Sequence, residues 1–131
     1  QHPLTEMLER AKADIQKSGK PLEPGRVIAE LNFGFWVSIM GPKYEDPLWR
    51  RVLRHAFPYR PKRHERKDVH NALNAIRRLR NRVMHHEPIL HRNLESDHAL
   101  ILRIVSWHCQ ETSDWIKDNS RFTIVYDAEC H

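Results

Sequence analysis

Within six residues, Arg80, Asn81 and His85 bring together a permanent cation, an amide and a ring that exchanges protons near neutral pH. These types suit RNA cleavage without a metal. The histidine handles protons as general acid or base, while the guanidinium makes paired hydrogen bonds to phosphate oxygens and offsets charge building on phosphorus. The amide orients the phosphate or the ring, and the 2′-hydroxyl is the nucleophile, leaving a cyclic phosphate; DNA lacks that hydroxyl and is inert. The spacing alone is weak, because a chain with ten histidines and many arginines produces it by chance. A solvated, basic helix end is the other account of the same residues.

Position on a helix sharpens the reading. From Lys62 to Met84 the pattern is that of one long helix, with Val69, Ala72, Leu73, Ile76, Leu79 and Val83 forming a stripe. With ~100° per residue and Ile76 at zero, the stripe residues fall within about 60° and Arg80 at about 40°, inside the stripe. A buried, unpaired guanidinium costs several kcal/mol, so Arg80 is expected to pair with an acid or to point into an interface or cleft. Glu87 is the preferred partner. His86 and Glu87 together are expected to support the helix end by pairing with Arg80 or Arg82. Asn81 and His85 share the opposite, polar side with Asn74, Arg78 and His70. Arg80 and His85 therefore converge only if the helix distorts before Pro88 or if two copies meet in a dimer, so a composite site is expected.

The remaining elements also read as helical. Leu4, Met7, Leu8, Ala11 and Ile15 define a first helix that stops at Ser18-Gly19-Lys20-Pro21. Pro24 opens a second, apolar nearly all round from Val27 to Met40 and therefore central, in which Asn32 and Ser38 are expected to be satisfied core polars. Asp46-Pro47 is read as a cap launching a helix over Leu48, Trp49, Val52, Leu53, Ala56 and Phe57, followed by a stiff Pro58-to-Pro61 connector. Asn93 or Ser96 caps a last long helix reaching Trp115 and Ile116, with a break at Ser113-Asp114, and Phe122–Tyr126 reads as a short strand or docked tail.

At 131 residues the chain fits one domain, and its lysines and arginines outnumber its acids by 22 to 17, giving a formal charge of +5. A polyanionic partner is favoured. Arg50, Arg51, Arg54, Arg60, Lys62, Arg63, Arg66 and Lys67 form a basic belt interleaved with Trp49, His55, Phe57 and Tyr59, which could stack on bases; Arg78 extends it. The competing account makes Trp49 and Phe57 core and the arginines a solvated face. His85, His86, His91, His98 and Glu87 are metal-ligand types, yet their spacing matches no familiar zinc motif, and no metal or other cofactor is expected. His108 is expected to be a core histidine with a hydrogen-bond partner, and Ala99, Leu102 and Val105 a second buried face that suits a dimer contact. Cys109 and Cys130 lack metal or redox spacing and are read as structural or incidental. A reduced, cytoplasmic setting is expected, with no membrane span. The chain begins at Gln1 rather than Met, so truncation at the N-terminus is also expected.

The string Arg77-Arg78-Leu79-Arg80-Asn81-Arg82-Val83-Met84-His85-His86-Glu87-Pro88-Ile89 resembles the LRNxxxHHEPI signature of Abi-like proteins in the HEPN superfamily. The similarity extends through Glu30–Trp36, Leu48-Trp49, His91–Leu94 and Asp97-His98, roughly residues 26 to 120. It implies an all-α, HEPN-like bundle of about four to five helices, with a short extended C-terminal tail. It further implies a homodimer in which two such motifs line one cleft, metal-independent endoribonuclease activity in abortive infection or a toxin system, and catalytic roles for Arg80, Asn81 and His85. An antitoxin or regulatory protein is an implied partner. The rival expectation is a module that binds RNA or a nucleotide in the same cleft without cutting.

Overall fold

Residues 3–130 are described by a computed structural model; Gln1 and the side chain of Cys130 lie outside that description. The described residues are all-helical, with seven α-helices among them rather than four or five: α1 (Pro3–Lys17), α2 (Pro24–Glu30), α3 (Phe33–Ser38), α4 (Arg66–Met84), α5 (Leu94–His108), α6 (Gln110–Asn119) and α7 (Phe122–Cys130). Two expected long helices are each divided, α7 stands where a strand or tail was expected, and the helix expected after Asp46-Pro47 is not α-helical.

The expected helix over 27–40 breaks at Leu31-Asn32. Asn32 takes an extended conformation, and its side-chain oxygen accepts the Phe35 N–H at 2.9 Å, capping α3 instead of continuing α2. Gly34 leaves room for that amide, since a Cβ there would meet Asn32 Oδ1 at 3.2 Å. Asn32 and Ser38 are therefore satisfied but exposed, with Ser38 Oγ donating to the Gly34 carbonyl at 2.7 Å. No residue of α2 is buried, so this stretch is not the central helix.

Asp46-Pro47 does not launch an α-helix. A 3₁₀ turn (Pro42–Tyr44), a π turn (Glu45–Trp49) and a second 3₁₀ turn (Leu53–Ala56) replace it. Pro47 brings no N–H to the ladder, and the bond from Arg50 N to Glu45 O, 3.0 Å, spans five residues. Trp49 is carried to 1% exposure by this segment.

The core gathers Met40, Trp49 and Phe57 from this irregular region, Val69 and Ala72 from α4, and Ile104 and Trp107 from α5; Leu53, Leu73, Ile76 and Leu100 pack against it. α4 thus holds the stripe predicted for it, although it starts at Arg66 rather than Lys62. Its start is fixed by Glu65 and Asp68, whose side chains take each other's backbone N–H. Asn93 caps α5 through the Ser96 N–H at 2.9 Å.

The break after α5 falls at Cys109, which is extended, and not at Ser113-Asp114. Ser113 is 1% exposed and its Oγ donates to the Leu102 carbonyl at 2.9 Å, so this small residue sits where α5 and α6 pack. Phe122–Tyr126 is helical despite its β-branched run. Phe122 and Tyr126, four apart, stack at 5.3 Å, and Phe122 stacks on His98 at 4.3 Å, so ring packing overrides strand propensity. Among the described residues no helix is long and apolar enough to cross a membrane.

Candidate functional site

The motif occupies the last turn of α4 and the residues just beyond it. His85 is the C-cap and His86 adopts φ 55°, the left-handed conformation that ends many helices. The His86 N–H donates to Val83 O at 3.2 Å and the Glu87 N–H to Arg82 O at 2.9 Å, a paired closure that satisfies two carbonyls of the last turn. The loosening expected before Pro88 is therefore an ordered reversal.

Arg82 holds that reversal from its side chain. Its Nη2 and Nε donate to the Pro88 carbonyl at 2.9 and 3.3 Å, and its Nη1 lies 3.6 Å from Glu87 Oε2. Glu87 thus pairs with Arg82 and not with Arg80, a correction to the preferred assignment. Following the reversal, Arg92 grips Asp97 with two bonds of 2.9 Å, which raise the Arg92 guanidinium pKa and tie the interhelical segment to α5.

Arg80 is exposed, against the expectation of burial within the stripe. Its angular position is not at fault; the covering of the stripe ends first, since Val69 is 0% exposed and Val83 is 49%. Arg80 Nη1 donates to Asn81 Oδ1 at 3.3 Å, while the Asn81 backbone carbonyl accepts the His85 N–H at 2.9 Å. Asn81 is half-buried and touches both partners, its side chain toward Arg80 and its backbone toward His85. Arg80 and His85 are not bonded to each other among the described residues. His86 is likewise exposed and serves the site through its backbone.

His70, higher on α4, is half-buried, and its pKa is lowered first by burial and then by the Arg66 and Arg77 charges. His98 is drawn away from the motif histidines by its stack on Phe122, and among the described residues no three His, Cys, Asp or Glu side chains are grouped to hold a metal ion. His108 is exposed rather than core, though it has the expected partner, with Nδ1 donating to the Ala56 carbonyl.

The basic belt divides in two. Arg66 is bound inward, paired with Glu45 and donating to Met40 O at 2.8 Å. Arg60 lies over the Trp49 ring, 5.3 Å from its centroid, and donates to the carbonyls of Arg54, Phe57 and His64. These two build the fold, and Trp49 and Phe57 are core, so neither ring can stack on a base. Arg50 is exposed but paired with Asp46 at 3.0 Å. Arg51, Arg54, Lys62, Arg63, Lys67 and Arg78 remain exposed, as does Tyr59. Comparison of the chain with protein-family models, with curated proteins and with solved structures finds no match.

Proposed function

We propose that this chain is a metal-independent endoribonuclease of HEPN type, acting as a homodimer in abortive infection or a toxin system. The observation that carries the reading is the Arg80-Asn81-…-His85 string at an ordered, exposed helix end, with Arg80 and Asn81 already in contact. His85 exchanges the protons, Arg80 stabilises the charge on phosphorus and Asn81 orients. Support for pairing of two copies comes from Val83 and Met84 within the motif and Leu90 beyond it, which are 49, 60 and 82% exposed. Exposed apolar side chains this close to a charged site suit an interface.

The test incubates the full chain with labelled single-stranded RNA in EDTA. Wild type yields 2′,3′-cyclic phosphate ends and leaves DNA of the same sequence intact. Arg80→Ala and His85→Ala each lose about 10²-fold or more in rate while keeping their far-UV spectrum. Val83→Glu shifts the sedimenting species to monomer and lowers cleavage with it. RNA that is bound but left intact by wild type favours the second reading, a binding module in the same cleft.

A further inference from the structure

The α5–α6 hairpin carries a cavity of about 340 Å³. Leu102, Arg103 and Ser106 line it from α5 and Gln110, Ser113 and Lys117 from α6. Leu102 and Arg103 lie three and four residues after Ala99 and four and three before Ser106, and Gln110, Ser113 and Lys117 follow steps of three and four, so the cavity lies between two facing stripes. Its charged residues are both cations, one from each helix, and among the described residues neither makes an ion pair or a side-chain hydrogen bond. By contrast, the cavity beside α1 and α2 holds Asp14 and Glu30, and the one over Trp49 holds Glu45 and Glu65.

The neutral polar groups are already oriented. Ser106 Oγ donates to Arg103 O at 2.6 Å, Ser113 Oγ to Leu102 O at 2.9 Å, and Gln110 Nε2 to Asp114 Oδ1 at 2.9 Å. Both hydroxyl hydrogens and one of the two Gln110 Nε2 hydrogens are spent within the hairpin. What remains for a ligand is acceptor capacity on Ser106 Oγ and Gln110 Oε1 and the second Gln110 N–H, while the buried Ser113 forms the floor. A complementary ligand therefore has an anionic end for Arg103 and Lys117 and hydroxyl donors for the acceptors. Its size is bounded by a volume at the small end of ligand sites.

We propose that this cavity binds a small hydroxylated phosphomonoester, of the sugar-phosphate class, at a site separate from the α4 motif. The proposal does not rest on ribonuclease activity. Calorimetric titration of the full chain with ribose 5-phosphate should show saturable binding of one ligand per chain. Arg103→Gln and Lys117→Gln each weaken it by about tenfold, as loss of a charge-assisted contact does. Ribose without phosphate does not bind, and inorganic phosphate binds about tenfold more weakly, lacking the hydroxyl contacts. Both cations are exposed, so an unchanged urea midpoint is expected for the variants and confirms that they fold. The proposal is overturned if ribose 5-phosphate does not saturate below about 10 mM. Equal affinity for inorganic phosphate, or unaltered affinity in the Arg103→Gln, Lys117→Gln double variant, also overturns it. So does a loss in Arg80→Ala as large as in Arg103→Gln, which would put the ligand at the motif.

Discussion

Replacing Arg82 by Ala removes the side-chain grip on Pro88 while leaving the residue-82 carbonyl in place to accept the Glu87 N–H. Two guanidinium bonds reach one carbonyl oxygen, at 2.9 and 3.3 Å. The Glu87 contact, at 3.6 Å and with the Glu87 side chain half exposed, contributes little. Partial exposure of Arg82 also discounts the pair of bonds, so about 1–2 kcal/mol of local stability is expected to be lost. That corresponds to roughly 5–30-fold more frequent opening of the reversal. Native-state hydrogen exchange read at the His86 and Glu87 amides measures it directly, with the Val69 amide as an internal control from the buried part of the same helix. A second change works in the opposite direction. His86 holds φ 55° with a side chain, and His86→Gly relieves about 1 kcal/mol of left-handed strain, so it should restore part of the protection in the double variant. Protection of Glu87 unchanged in Arg82→Ala would show that backbone closure alone holds the helix end, and the positioning role of Arg82 would be wrong.

Trp49→Ala removes a ring at 1% exposure, stacked on Phe57 at 6.4 Å and covered by Arg60, and is expected to cost about 3–5 kcal/mol in urea unfolding. A loss below about 1 kcal/mol would mean that this ring is not central to the core. Asn93→Ala deletes the cap of α5 and should lower stability by about 1 kcal/mol, whereas Asn93→Ser should recover most of it. His70 has its pKa lowered below the ordinary 6.5 by burial and by Arg66 and Arg77. The unfolded chain then binds the proton more readily, so this contribution is intact above 6.5 and is lost as pH falls through the folded pKa. His70→Gln should therefore lose less stability than wild type between about pH 7 and about pH 5, and parallel pH profiles would refute the assignment.

The helical class, the α4 stripe and, as one of two candidate caps, the start of α5 at Asn93 were legible because each depends on local periodicity and capping. What sequence could not supply was which local signal wins. Asn32 reads as an interior polar residue by its apolar neighbours and as a cap by its own chemistry, and the cap prevailed. Ser113 reads as a breaker, yet a small residue also permits close helix packing, which is its use here. Phe122–Tyr126 has strand composition, but a ring at each end of one helical turn and His98 opposite favour a helix. At the motif, the chemistry of Arg80, Asn81 and His85 was readable as residue types, whereas the Arg82 grip was not. It depends on the positive φ of His86, a position where glycine is the usual signal and none stands.

Along α4 one stripe serves two purposes, and the difference lies in what covers it. Val69 and Ala72 are enclosed with Met40, Trp49, Phe57, Ile104 and Trp107, so a cation at their angle there would need a partner. Two turns later the stripe reaches solvent, and Arg80 sits at that angle, its guanidinium hydrogen-bonded among the described residues to the Asn81 amide. The guanidinium is therefore not stabilised by a structural acid and keeps its capacity for an anion. Glu87, just past the helix end, is engaged by Arg82, which both shapes the reversal and keeps that carboxylate paired away from Arg80. A helix whose apolar stripe is buried in its first half and exposed in its last turn can thus be anchored at its base while offering uncommitted charge at its end.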